Sequence, residues 1–460
     1  MATYSEVLSV TETDLRDLAT DVVARAMKAG ATGAEVVVRE GSEFSTLVRR
    51  GQVETLKESG SRAMGLRAFL GQRAASTYSS DFSLEGIERL VKGALDLAHV
   101  TSEDPYAGLP DPSLLGSLPG DLKLYYEDVY SLPPEQRIDW ARRAEAAALS
   151  ADPRIKNSDG GSFDAATGCK VLANSLGFVG EYKRSSCSVS AIPIAQDENG
   201  AMQRDYWYSS ARTLTKLESP ESVGRKAAER TVRRLGAHKI ASTRVPLVFD
   251  SENARSLLDN IFDAVNGDAI YRQSSFLEGK LGQKIASENV TIVDDGTIPG
   301  GFGTSPFDGE GVPSRRTVVI EKGILKSYLL NTYTAKKLGL QTTGNAARGL
   351  AGNPGIGYNN FFLQRGARTA EQIISDIKQG LYVIDLLGFG VNLVTGDYSR
   401  GVTGIWIENG ELTYPVEEIT VAGNLKQMLN NISEIGSDLE FRSALACPTL
   451  RIDGMTIAGE

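Results

Sequence analysis

Two histidines, His99 and His238, and three cysteines, Cys169, Cys187 and Cys447, are the whole supply of imidazole and thiol in 460 residues. A helix-borne zinc site of the zincin type needs two imidazoles one turn apart on one face, and this pair is far apart in sequence. His99 and His238 each follow a helical pattern, where a cation complements the dipole, which predicts structural roles for both. A serine-hydrolase triad needs a histidine base, and the chain has no G-x-S-x-G elbow. Cys447, in Leu445-Ala446-Cys447-Pro448, reads as packing rather than as a nucleophile or ligand. The glycine-rich stretch Gly296–Gly303 lacks the Gly-Lys-Ser/Thr ending of a phosphate-binding loop. Carboxylates concentrate in Asp294-Asp295-Gly296 and Phe307-Asp308-Gly309-Glu310-Gly311. Alternate residues of a strand share a face, so Asp308 and Glu310 could hold a hard cation together. Turn formation is the competing reading.

Composition narrows the classes. The formal net charge is −9, which opposes a nucleic-acid footprint despite the basic helix carrying Arg225, Lys226, Arg230, Arg233 and Arg234. Hydrophobic residues make up 41% and charged residues 23%, the balance of a globular protein rather than a disordered or fibrous one. No apolar run reaches the roughly 18–20 residues of a membrane span. Met1–Val10 lacks the basic-then-apolar order of a secretory leader. An odd, sparse cysteine count fits a reducing cytoplasm better than a disulfide framework. The expected location is therefore cytoplasmic, without nucleic-acid or membrane partners.

The elements that would position these residues fall into three blocks. In the first, Leu15, Leu18, Val22 and Ala26 recur at helical spacing, followed by short strands at Ala34–Arg39, Ser45–Arg50, Ala63–Leu70 and Ala74–Tyr78. A helix capped by Ser83 then runs to Ala98. Ser102–Pro133 reads as a linker with little regular structure. The second block repeats the order: a helix from Pro133-Pro134, strands at Lys170–Ala173, Phe178–Tyr182, Ser186–Ile194 and Gln203–Tyr208, with a hairpin turn at Asn174–Gly177. A helix capped by Ser219 closes it. The third block opens with a strand at Pro246–Phe249 and a helix capped by Ser251. It continues with strands at Val290–Val293, Arg316–Glu321, Ile324–Leu330, Leu381–Leu386, Gly404–Glu408, Leu412–Val416 and Thr449–Ile452. Asn424–Asn431 reads as a helix. The expected fold class is α+β, with two helix–meander–helix N-terminal blocks (1–105 and, with the linker, 106–240) followed by a large β-rich C-terminal domain (241–460).

Several long motifs then occur in order. Ser305-Pro306-Phe307-Asp308-Gly309-Glu310-Gly311-Val312 resembles the "TPFDSEG" segment of the PmbA/TldE proteins. Tyr333–Leu340, Thr342–Ala346, Gly390-Val391-Asn392, Thr395-Gly396-Asp397-Tyr398-Ser399-Arg400-Gly401, Trp406–Glu411, Glu418–Leu425 and Met455–Gly459 continue the similarity. The resemblance covers nearly the whole chain and is weaker in the first two blocks. It implies membership of the TldD/PmbA family of cytosolic metallopeptidases, assembled from two related subunits and acting on small or unfolded peptides. In that family the TldD-type subunit carries H-E-x-x-x-H and a distant cysteine as zinc ligands, and the PmbA/TldE-type subunit lacks the histidines.

Aligned on that motif, this chain reads Ser251-Glu252-Asn253-Ala254-Arg255-Ser256. Glu252 is a vestigial carboxylate, and serine hydroxyls do not replace imidazoles on zinc. The resemblance therefore implies no catalytic residue and no cofactor in this chain, with Cys447 only a weak alternative ligand. Zinc is expected in a TldD-type partner. Asp308, Glu310, Asp397, Ser399 and Arg400 are candidate cleft or interface positions. A turn held by an Asp397–Arg400 pair is the bland alternative for the last three. The expected partner is a TldD-type subunit or a second copy of the chain, with small or unfolded peptides as ligands. Two other functions stay open: a peptidase active alone through a non-standard metal site, and a homodimeric peptide-binding scaffold without hydrolysis.

Overall fold

The structure, a computed structural model, describes residues 14–459. The reading of Met1–Val10 lies outside them. Helix α1 (Leu15–Lys28) starts where the Asp14 side chain accepts the Arg16 amide, and it buries Leu18, Ala19, Val22, Val23 and Ala26. Strands β1 (Gly33–Arg49), β2 (Gln52–Leu70) and β3 (Arg73–Ser79) follow, then α2 (Leu84–Val100), capped by Ser83.

The strands are longer than the sequence suggests. The expected Ala34–Arg39 and Ser45–Arg50 runs merge, as far as Arg49, into one strand of 17 residues, because β1 is paired on both sides without a break across Gly41. Gly41 is needed there: a Cβ would lie 2.6 Å from the Thr167 carbonyl.

In the second block, α3 (Glu127–Ser131) and α4 (Pro134–Ala151) precede β4 (Ile155–Asn174), β5 (Val179–Gln196), β6 (Met202–Arg204) and β7 (Trp207–Ala211). The expected Phe178–Tyr182 and Ser186–Ile194 runs likewise fuse, from Val179 on, into β5. The first half of β4, rich in Gly, Ser and Ala, carries no strand signal of its own and is held extended by β1 and β5. Helix α5 (Pro220–Val232) is capped by Ser219 as expected.

The two N-terminal blocks are consequently not separate meanders. They share one seven-stranded antiparallel sheet of order β3-β2-β1-β4-β5-β6, with β7 also on β5. Strand alternation gives this sheet two buried faces. Val36, Val38, Met64, Leu66 and Val171 meet α1 and α2 on one face. Val37 and Leu172 meet Phe307 and Leu350 of the third block on the other. The segment between the blocks has little regular structure, as expected, but it is tied down. The Gly116 amide donates to the Gly311 carbonyl (3.0 Å), Leu118 to Pro306 (2.9 Å), and Gly300 to Leu122 (2.7 Å).

The third block opens with β8 (Thr243–Phe249) and α6 (Ser251–Val265). The cap of α6 is Asp250 rather than Ser251: its carboxylate accepts the Asn253 amide at 2.8 Å. Then come α7 (Gly267–Tyr271), β9 (Ile292–Asp295), β10 (Arg316–Glu321), β11 (Ile324–Leu325), α8 (Thr332–Leu338), β12 (Ala346–Ala347), β13 (Gly355–Ile356) and β14 (Asn360–Leu363). Of the expected Ile324–Leu330 strand, Ile324 and Leu325 form β11, and beyond them Leu329 makes an isolated bridge to Asn266. After α9 (Ala370–Ser375) the chain forms β15 (Gln379–Leu387), β16 (Asp397–Glu408), β17 (Glu411–Asn424), α10 (Leu425–Asn430), β18 (Ile432–Ile435), β19 (Leu445–Ala446) and β20 (Leu450–Ala458). A five-stranded sheet, β11-β10-β9-β14-β19, and a six-stranded sheet, β17-β16-β15-β8-β20-β18, enclose the largest core together with α6. The α+β class stands, with a β-rich C-terminal region.

Candidate functional site

Helix α6 carries Glu252 in its first turn, and tertiary structure surrounds that carboxylate with donors. The Arg442 Nη1 donates to Glu252 Oε1 at 3.2 Å, and the Tyr208 hydroxyl donates to Oε2 at 3.2 Å. Arg255, one turn along α6, donates from Nη2 to Oε2 and from Nη1 to the Tyr208 hydroxyl at 3.1 Å and the Ser443 hydroxyl at 3.3 Å. The Arg442 guanidinium lies 4.3 Å from the centre of the Trp207 ring, which fixes it from behind. Glu252 is thus a carboxylate locked between two guanidinium groups, with both oxygens occupied.

The other residues of the motif register do not make a metal site. The Ser256 hydroxyl donates back to the Asn253 carbonyl at 2.8 Å. Cys447 is buried among aliphatic side chains that include Ala254, Leu258, Ile261 and Leu450. Burial raises its thiol well above the ordinary range, so it stays protonated. Cys187 is likewise pushed up to about 12 by burial. His238 stacks on Tyr414 at 4.8 Å, and His99 sits in the last turn of α2. Among the described residues no three of His, Cys, Asp and Glu converge on a point where an ion could sit. The residues present at the Glu252 register do not fit zinc.

Asp397, Ser399 and Arg400 open β16 rather than forming a turn, and no Asp397–Arg400 pair exists. Asp397 accepts from the Thr395 hydroxyl (2.6 Å) and the Asn424 amide nitrogen (3.0 Å), and those bonds hold its carboxyl below the usual range. Arg400 donates to the Leu386 and Leu387 carbonyls (3.2 and 3.3 Å). The Ser399 amide donates to Gly390 (2.7 Å). All three hold the hairpin tip between β15 and β16, which exposes Leu387, Phe389 and Val394. The extended register wins because β16 is paired with β17 from Asp397 onward.

Asp308 and Glu310 are buried, and they do different jobs. Asp308 organises its own loop: Oδ1 accepts the Glu310 and Val312 amides (2.8 and 3.0 Å), and Oδ2 accepts the Ala346 amide (3.0 Å). Glu310 takes the Thr332 amide on Oε2 at 2.9 Å. Burial raises both carboxyls, and Asp308 raises Glu310 further.

Glu310 also borders a cleft of about 1020 Å3 between the N-terminal sheet, the connecting segment and the third block. Arg67 of β2, Tyr106 of the connecting segment, Asp263 of α6 and Tyr333 of α8 line it as well. Beneath it Glu35 lies between Arg67 Nη1 at 3.0 Å and Arg348 Nη1 at 2.9 Å, all buried. At its mouth Lys337 is caged by Tyr106, Tyr271 and Tyr333, with ring centres 4.3, 4.7 and 5.2 Å from its ammonium.

The structure therefore separates the sequence candidates into three places: Glu252 at one end of α6, Asp308 and Glu310 near the cleft, and Asp397–Arg400 at the base of the β15–β16 hairpin, whose Leu393 borders the same cleft. Sequence reading missed Arg255, Arg442 and Tyr208, and in the cleft Arg67, Asp263 and Lys337. One signal was available. Glu252, Arg255, Asp259 and Asp263 recur at spacings of three and four, a polar stripe along α6. Asp259 and Asp263 end that stripe, and the protein crowding them raises both carboxyls.

Known proteins place this architecture. Models of the three successive PmbA/TldA metallopeptidase domains match residues 34–98 (domain 1), 127–235 (central domain) and 242–459 (C-terminal domain). The chain is 39% identical to the metalloprotease PmbA of Escherichia coli O157:H7, with both chains covered in full. It is 37% identical to the metalloprotease PmbA homolog of Haemophilus influenzae over 98% of each chain. A crystal structure from Bacteroides thetaiotaomicron, solved as a candidate modulator of DNA gyrase, superposes with a TM-score of 0.90 at 31% identity, covering 97% of this chain and all of that one. TldE from Thermococcus kodakarensis shares the fold, with a TM-score of 0.88 at 22% identity over 96% of this chain and all of that one. The chain belongs to the PmbA/TldD peptidase family.

Proposed function

We propose that this chain is a PmbA/TldE-like subunit of a TldD/TldE-type metallopeptidase acting on small or unfolded peptides. In this reading it is itself non-catalytic and shapes the cleft of a zinc-bearing TldD-type partner in the cytoplasm. The observation that carries the reading is the state of Glu252: the family's acidic position is occupied, but its carboxylate is held by Arg255, Arg442 and Tyr208. A carboxylate in that state has three of its four lone-pair sites taken by protein donors, and no imidazole stands beside it to hold a metal. Its part is to fix the start of α6 against the Trp207 strand and the Arg442 loop. Asp397, Ser399 and Arg400, which hold an exposed hairpin tip, are the proposed interface positions.

The test is co-expression with a TldD-type subunit. We expect an equimolar complex, zinc in the partner, chelator-sensitive cleavage of an unfolded peptide by the complex, and none by this chain alone. Near-stoichiometric zinc and cleavage in the isolated chain would overturn the reading in favour of a self-sufficient peptidase. A stable homodimer that binds intact peptide and ignores the partner would overturn it in favour of a scaffold.

A further inference from the structure

The inner face of the N-terminal sheet, the one that meets the third block, is covered along only part of its length. Val37, Leu172 and Tyr182 lie against Phe307 and Leu350. Farther along β4, Asp164, Ala166 and Gly168 stay half-buried on that face, whereas Phe163 and Ala165, which point the other way, are buried with residues of α4. Cations stand where the cover ends. Arg39 of β1 is directly opposite Lys170 of β4, and Tyr182 of β5 is next in the row. Arg184, the next residue of β5 on that face, is exposed.

The chain supplies these cations with no paired anion. Among the described residues none of them has a carboxylate within ion-pair distance. Arg39 donates from Nη2 to the Arg348 carbonyl, and its Nε is buried with no acceptor. Lys170 makes no hydrogen bond among the described residues, and its ammonium lies 5.9 Å from the centre of the Tyr182 ring. Asp308 acts on Lys170 from longer range, but its two oxygens are taken by the Glu310, Val312 and Ala346 amides. Arg348 adds a further positive charge to the surroundings, and its guanidinium is turned to Glu35 at 2.9 Å. Like charges directly opposite on neighbouring strands repel. Burial holds both Arg39 and Lys170 below their usual ranges. An anion seated between them would end the repulsion and accept from the orphaned Nε.

We infer that Arg39 and Lys170, with Arg184 beside them, form a subsite for the carboxylate group of a peptide that lies along the half-buried floor of β4. A guanidinium fork matches the two oxygens of a carboxylate, and the lysine adds a point charge. The subsite is made wholly by this chain. Only the word peptide rests on the proposed function; the anion chemistry rests on the unanswered cations. A carboxylate of this kind is found at a free C-terminus and on an acidic side chain.

Calorimetric titration of the full chain alone, without any partner subunit, tests this. The probes are N-acetyl-trialanine with a free C-terminus, N-acetyl-trialanine amide, and N-acetyl-Ala-Glu-Ala amide. We expect N-acetyl-trialanine, the glutamate peptide, or both to bind, with the two arms naming the source of the carboxylate, and the neutral amide not to bind. Lys170→Met should weaken binding about tenfold or more. It removes one of two opposed like charges, so the thermal midpoint should hold or rise, which a merely structural lysine would not show. Arg184→Gln changes an exposed side chain that makes no hydrogen bond among the described residues, and it should weaken binding severalfold. Equal binding of the neutral probe, no binding of either carboxylate probe at millimolar concentration, or unchanged affinity in both variants would each overturn the inference. None of these results bears on whether a TldD-type partner carries the zinc, so the two readings fail separately.

Discussion

Two glutamates, Glu252 half-buried and Glu310 buried, define two regions that the same chain treats in opposite ways. At Glu252 every carboxylate oxygen is met by guanidinium or phenol, and the donors come from α6, β7 and the Arg442 loop. At Glu310 the hydrogen-bond donor is Thr332, and the buried Arg348, which also pairs with Glu35, acts on it at longer range. The first arrangement contributes stability and has no chemistry to spare. The second is held by fewer bonds and borders a cleft. Sites that bind ligands tend to lie on the second side of this divide, because groups satisfied within the protein have nothing to offer a ligand.

The comparison can be broken at several points. The largest effect should come from Glu35→Ala beneath the cleft, which strands Arg67 and Arg348 as buried charges. We expect a loss of about 3–5 kcal/mol in denaturant titration, with the N-terminal sheet separating from the third block. Glu252→Ala should cost about 2 kcal/mol, because two guanidinium groups lose their acceptor while Trp207 still packs on Arg442. A double-mutant cycle with Arg442→Ala should return a coupling above about 0.5 kcal/mol, which a merely adjacent pair would not give.

Glu310→Gln should do the reverse and raise stability at pH 8, by about 1 kcal/mol, since it removes a buried charge. The sign follows from linkage. A carboxyl raised by folding binds its proton better in the native state, so its contribution is fully present in acid and is lost as pH rises through the native value. Asp294 behaves the same way: its carboxyl is raised by burial from 3.8 to about 6, so thermal midpoints should fall between about pH 4 and pH 6 on its account. The smallest effect is expected from Lys337→Ala. It empties the tyrosine cage and should raise amide exchange in residues 101–108 without moving the global midpoint much.

Much of the fold was legible locally. Asp14 is a side-chain cap that the periodicity of α1 only implies, but Ser83 and Ser219 were readable as caps, because their hydroxyls need only the helix they start. The α6 face of Leu257, Leu258, Ile261, Phe262 and Val265 was equally plain. The extent of β1, β4 and β5 was not. Ile155–Cys169 has the composition of a loop and becomes strand only because two neighbours supply its hydrogen bonds. For the Gly396–Gly401 run a turn stayed open beside a cleft or interface role for the same reason, since nothing within it shows that β17 lies alongside. Of the site residues, Glu252 and Glu310 were visible as acids in motifs. Arg442 lies 190 positions from Glu252, and Arg67 lies in another block from Glu310, so no local pattern joins them.

By itself the sequence determined the α+β class and the want of paired imidazoles for a helix-borne zinc site, because both depend on residue type and near-neighbour spacing, and its long motifs carried the resemblance to the family. Only the tertiary structure decided which carboxylates are answered and which are not. Charge pairing is set by which side chains fold to within a few ångströms, and Arg442, which locks Glu252, like Arg348, which acts on Glu310, comes from an element far away along the chain.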